Sequence, residues 1–146
     1  MLTYMEEAAL KETFGERDKF AKMCGIVIDT AADGTASGHV DLAAHHLNAA
    51  GSAQGGILFT LADTVAAAAA NSRGPMAVTI QTNCQYVRGV SHGRLTAKAR
   101  ETAPSKKMPS YAVEVTDEAG RTVFISTAIF YVKETPLPQD KKQETT

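Results

Sequence analysis

The stretch from Ile57 to Ser72, ILFTLADTVAAAAANS, constrains this chain more than any other part of it. Its alanines favour helix strongly, and Gly74 and Pro75 stop that helix just beyond it. Nearly every position around the circumference is apolar, so no face suits water and the helix has to be enclosed. The apolar run from Gly55 to Ala70 is interrupted by Asp63 and falls short of the roughly 20 residues that cross a bilayer. The enclosure therefore has to come from the rest of the chain.

The rest supplies strands. Residues 5–14 (MEEAALKETF) read as a short amphipathic helix that Gly15 breaks, and residues 16–23 as a further helical turn carrying Phe20 and Met23. Cys24 to Ile28 is expected as a first short strand, Ala31 to Thr35 as a turn through Asp33 and Gly34, and Ser37 to Leu42 as a second strand. Ala43 to Ala53 has a loop composition. After the long helix come Met76 to Val87, Arg94 to Glu101, residues 110–116 and Thr122 to Val132, each with strand character. Turns are expected at Gly89 to Gly93 and at Asp117 to Gly120. Simple alternation along the first of these strands puts Val78, Ile80, Cys84 and Tyr86 on one face and Thr79, Gln81, Asn83 and Gln85 on the other. Two short strands, one long helix and four antiparallel strands make an α+β fold, an antiparallel sheet wrapped around a central helix, which is the hotdog architecture. Residues 1–133 form a single domain on this reading, and the Pro-, Gln- and charge-rich stretch 134–146 reads as a disordered tail.

Composition narrows the function. The 146 residues are 44% apolar, enough for one real core. A formal charge of -1 gives no electrostatic reason to expect nucleic acid or an anionic membrane surface. Cys24 and Cys84 belong to no CxxC pair and read as buried, reduced thiols of a cytoplasmic protein. Met1 to Leu10 carries Glu6 and Glu7 and does not look like a signal peptide. No His, Asp or Cys set has a recognised metal-ligand spacing, so no metal is expected. Neither a GxSxG elbow nor a P-loop occurs.

Asp63 is the anomaly. A carboxylate in an otherwise apolar helix costs roughly several kcal/mol if it is buried and unpaired. It needs a structural partner or a chemical task. The residues around it carry a family pattern. Asn48-x-x-Gly51-x-x-Gln54-Gly55-Gly56, followed by Leu61-Ala62-Asp63, resembles the PaaI-like branch of the hotdog-fold acyl-CoA thioesterases. The resemblance extends to Cys24-Gly25-Ile26, Val78-Thr79-Ile80 and Tyr86-Val87-Arg88, covering about residues 20–132. It implies hydrolysis of an acyl- or aryl-CoA to free acid and CoA, with coenzyme A as part of the substrate and no separate cofactor.

The resemblance also implies roles. Asp63 is the nucleophile or the base that activates water. The Gly55 N–H, at a helix start, polarises the thioester carbonyl, and Gly56 leaves room for the ligand. Asn48 orients the acid or water through its amide, and Thr79 places a hydroxyl beside the acid. Gln54 is a departure, since the family pattern has histidine there. Its amide can orient or polarise but cannot exchange protons. Arg88 is the leading candidate for the CoA phosphates, with Arg94, Lys106 and Lys107 behind it. His45, His46 and His92 read as loop or turn histidines without a catalytic role.

Gly55 and Asp63 are eight residues apart on one helix, hence about 12 Å along its axis. Reacting groups must converge within about 3–3.5 Å. One chain's helix cannot present both to one thioester. A two-fold homodimer with antiparallel helices can, and the resemblance implies the same arrangement, with a dimer of dimers as the further possibility. Two rivals stand beside this reading. One is a hotdog enoyl-CoA hydratase or dehydratase, disfavoured because no histidine follows Asp63 on the helix. The other is a non-catalytic acyl-CoA-binding protein, which the Gln54 departure favours.

Overall fold

The structure is a computed structural model, and it describes residues 5–135. In chain order it contains α1 (Glu7–Lys11), running straight into a π turn (Glu12–Glu16), α2 (Lys19–Cys24), β1 (Val27–Ala32) and β2 (Thr35–Asp41). A short 3-10 turn (Ala44–His46) leads to α3 (Gly55–Asn71), followed by β3 (Ala77–Tyr86), β4 (Arg94–Ala103), β5 (Ser110–Thr116) and β6 (Thr122–Val132). The six strands form one antiparallel sheet in the order β1-β2-β4-β5-β6-β3.

α3 is the enclosed helix. Leu61, Val65, Ala68 and Ala69 have no solvent exposure, and Ala62, Ala66 and Ala70 almost none. Their small side chains let the sheet curl closely around the helix axis. The facing layer is Val40, Leu95, Ala97, Val113, Val115, Phe124 and Phe130, all buried. Tyr111 and Phe130 meet edge to face with ring centroids 5.4 Å apart, a preferred aromatic geometry.

Three local expectations need correction. Gly15 does not break the first helix; it is buried inside the π turn that continues it. Cys24 to Ile26 is not strand. Cys24 closes α2, and Gly25 takes the left-handed conformation (φ 78°) that ends it. β1 therefore starts three residues later, at Val27. In β3, Thr79 pairs with Phe130 while Gln81 pairs with Ile129, so Ile80 is an extra residue, a β-bulge. The bulge reverses the alternation. Thr79 therefore shares the helix-facing side with Thr82, and not with Gln81 and Asn83.

Asn71 joins helix to strand. Fully buried, its Oδ1 accepts from the Ala77 N–H at 2.9 Å, and its Nδ2 donates to the Ala77 carbonyl at 3.1 Å and the Ala67 carbonyl at 2.8 Å. The side chain acts as a ladder partner for the first residue of β3. Asn71→Ala leaves buried backbone groups unpaired and is expected to cost about 2–5 kcal/mol. Denaturant titration measures this loss.

The proposed tail 134–146 lies outside the described residues except for Glu134 and Thr135, and the first four residues of the segment judged not to be a signal peptide lie outside them too.

Candidate active site

The loop before α3 is tightly bonded. The Asn48 Oδ1 accepts from the backbone N–H of Ala50 (2.9 Å) and Ser52 (3.1 Å), and the Asn48 N–H donates to the Ser52 carbonyl at 2.7 Å. Ala53 and Gln54 donate their N–H groups to the carbonyls of Val90 (2.7 Å) and His46 (2.8 Å). The loop therefore enters α3 at a set angle.

His46 is a loop histidine, as expected, but not a solvated one. It is buried. Its Nδ1 accepts from the Ala43 N–H at 3.0 Å, so the proton is on Nε2, which donates to the Cys24 carbonyl at 2.7 Å. It bolts the loop to the end of α2. His45 and His92 are exposed.

Gln54 is the N-cap of α3. Its Oε1 accepts from the Gly56 N–H, satisfying one orphan donor of the helix start. The neighbouring Gly55 N–H has no acceptor among the described residues. It is a free, partly exposed donor at the positive end of a 17-residue helix. Glycine leaves room there for the Tyr86 ring. A Cβ on Gly55 would lie 3.0 Å from the Tyr86 ring, which is itself braced edge to face against Phe124 at 5.2 Å. Arg88 is exposed just past β3, with its backbone N–H on the Val123 carbonyl at 3.2 Å. Arg94 is committed to Asp41 through two contacts, of 2.8 and 3.1 Å.

Two turns along α3, Asp63 faces β3. The Thr79 Oγ1 donates to its Oδ1 at 3.0 Å. A small cleft over the carboxylate is lined by Phe59, Thr82 and Ser126. Burial raises the Asp63 pKa above the ordinary aspartate value; the Thr79 hydrogen bond lowers it, and the negative charge of Asp18 raises it again. Asp18 caps α2, accepting from the Ala21 N–H at 3.0 Å.

The residues named from the sequence thus fall into two groups. Asn48, Gln54, Gly55, Gly56 and Arg88 gather at the start of α3. Asp63 and Thr79 meet at its middle. Sequence reasoning missed Tyr86 as the ring over Gly55, Thr82 and Ser126 beside Asp63, and Asp18 as its charged neighbour. None of these has a local signature, because each reaches the site through tertiary packing. Among the described residues, no group of three or more His, Cys, Asp or Glu side chains is placed to hold a metal ion. Among these residues, no helix is long and apolar enough to cross a membrane.

The chain is similar to known proteins in sequence and in fold. The family model of the thioesterase superfamily matches residues 50–124, which include most of the loop, α3 and the strands β3 to β5. The acyl-coenzyme A thioesterase PaaI of Escherichia coli is 36% identical over 109 residues, 74% of this chain and 78% of that protein. The solved structure of the E. coli PaaI protein from the phenylacetic acid degradation operon superposes with a TM-score of 0.82 at 30% identity, covering 86% of this chain and 91% of that one. A hypothetical thioesterase protein of Streptococcus pneumoniae, solved with coenzyme A, gives a TM-score of 0.79 at 25% identity over 86% and 98% of the two chains. With a half-buried acid on an enclosed helix, a free amide at that helix's start and this family match, the chain belongs to the thioesterase superfamily and to its PaaI-like, hotdog-fold branch.

Proposed function

We propose that the protein hydrolyses acyl-CoA thioesters at sites shared between two chains of a homodimer. The observation that carries this reading is the free Gly55 N–H and the half-buried Asp63 standing eight residues apart on one straight helix. About 12 Å of axial rise keeps them from meeting within one chain. The edge strand β3 supports a paired arrangement. Along its ten residues one side of the ladder is unpaired among the described residues, beside Ile80 (54% exposed) and Phe59 (36%), an edge that natural proteins seldom leave uncovered. Two-fold pairing along β3 sets the helices antiparallel, so that Gly55 of the partner subunit faces Asp63.

In that site the Gly55 N–H holds the thioester oxygen as charge develops on it. Asp63 attacks the carbonyl or takes a proton from the attacking water, the carbon–sulfur bond breaks, and CoA leaves as its thiol. Thr79 holds the carboxylate in place. Gln54 shapes the helix start as its cap and leaves its amide nitrogen available to the substrate, as does Asn48; Gly56 keeps the approach open. Arg88 borders the same end. The free thiols of Cys24 and Cys84 suit the cytoplasm. A further pairing of dimers suits the outer sheet face, where Lys98, Arg100 and Glu114 offer charges of both signs.

Thiol release from short, medium, long and aryl acyl-CoAs tests the proposal. Release from at least one class is expected; none from any would leave an acyl-CoA-binding protein instead. Thr79→Val removes the donor and keeps the shape. It is expected to lower kcat/KM about tenfold or more, the scale of a hydrogen bond to a charged group. The active carboxylate also loses support, so the acid limb of the pH–rate profile moves to higher pH. An unmoved limb would separate Thr79 from the chemistry.

A further inference from the structure

The cleft over Asp63, between α3 and the β3–β6 pair, has a volume of about 10 Å³. That is the space of one water and of nothing larger. We propose that Thr82 and Ser126 hold the attacking water in this cleft, so that Asp63 works as a base. The inference rests on the thioesterase reading above and assigns its acid one of the two roles left open there.

The two hydroxyls carry the argument. Ser126 is only 7% exposed, and Thr82 is half-buried. Neither side chain has a hydrogen-bond partner among the described residues, yet neither oxygen is sealed off from open space. The space that both of them line is the cleft. A hydroxyl at that depth without a partner is costly, and a water meets the need. Strand register brings the pair together. Thr82 pairs with Ala128 and Cys84 with Ser126, so Thr82 and Ser126 are diagonal neighbours on the helix-facing side of the sheet. The bulge at Ile80 turns Thr82 to that side. Ala62, Ala66 and Ala128 leave the gap, and Phe59 limits it.

Asp63 completes the set. Thr79 occupies its Oδ1, while Oδ2 has no partner among the described residues. A water here has three polar partners, within the two to four that a buried water takes. It donates one hydrogen to Oδ2 and the other to one hydroxyl, and accepts from the second hydroxyl. One lone pair stays free. That pair forms the bond to the thioester carbon as the proton passes to Oδ2, and the carbonyl oxygen takes up the displaced electrons beside the N–H of the partner subunit's Gly55. The carbon–sulfur bond then breaks, the thiolate takes the proton back from Asp63, and free acid and CoA thiol leave. Direct attack by the carboxylate would give the two hydroxyls no task.

Thr82→Val and Ser126→Ala each remove one hydroxyl and are expected to lower kcat about tenfold, the double variant about 100-fold, with KM changed by less than about twofold. Thr82→Ser keeps the hydroxyl and is expected to keep kcat. Packing alone would rank these two variants the other way, since valine is the closer match in shape to threonine. Full kcat in the double variant would overturn the proposal while leaving the hydrolase reading intact. A wild type that hydrolyses no acyl-CoA would instead end both. A crystal structure gives a readout independent of turnover and of any variant's folding. An ordered water within hydrogen-bond reach of Asp63, Thr82 and Ser126 is expected there. A dry cleft, in a map that shows other buried waters, would overturn the assignment. Single turnover in water labelled with heavy oxygen, enzyme in excess, is expected to label the released acid and not Asp63. Label in the Asp63 side chain would mean direct attack and would overturn the base role.

Discussion

Asp63→Asn is expected to lower kcat by about a thousandfold or more while CoA still binds, because it removes the group proposed as base or nucleophile. Its effect on stability should run the other way. Burial raises the pKa of Asp63 above its unfolded value, so the folded state disfavours the ionised form. That penalty is absent below the ordinary aspartate pKa. It grows as pH rises through the folded-state pKa and persists at neutral pH. Asparagine carries no charge and keeps an oxygen to accept the Thr79 hydroxyl. The variant should therefore melt no lower than wild type at neutral pH, and higher if the penalty dominates, with no such gain in acid. A variant that is both inactive and markedly destabilised at neutral pH would make Asp63 a structural residue. The same protonation argument places the acid limb of wild-type kcat/KM above the ordinary aspartate range, since only the carboxylate reacts.

Gly55→Pro tests the other half of the site. Proline suits the first position of a helix and lacks the N–H in question. Gln54 already has the extended conformation that a following proline requires (φ -64°, ψ 136°). The ring must displace Tyr86 slightly, so Gly55→Ala, with similar bulk and its N–H intact, is the control. The proline variant is expected to lose about 100- to 1000-fold in kcat, the scale of one lost oxyanion donor, and the alanine variant much less. The two inactive variants can then be combined. Random pairing of Asp63→Asn with Gly55→Pro chains makes half of the dimers mixed, each with one intact composite site. Activity should return to about a quarter of wild type if each site takes its acid and its amide from different chains. No recovery, from chains shown to exchange, would mean that each chain carries its own site and would end the shared-site proposal.

Much of this molecule was legible before its structure. The enclosed helix followed from an apolar circumference, a property of residues 57–72 alone. Asp63 stood out against that background for the same reason. The need for a second chain came from a count of residues and the rise of a helix. Of the four later strands, three announced themselves by alternation and the last by its apolar run, with turns at Gly93 and Gly120. All of these depend on short-range geometry, which neighbouring residues dictate.

What escaped was set by contacts between distant segments. The bulge at Ile80 exists because β3 must match β6 across nine paired positions, and it decides which residues join Thr79 on the helix side. Simple alternation cannot register it. Gly55 packs against Tyr86, 31 residues away, and the buried His46 is held by the Cys24 carbonyl. A chain's local pattern determines which elements form. Which side chains those elements bring together is decided by register and packing, and those are properties of the closed sheet as a whole.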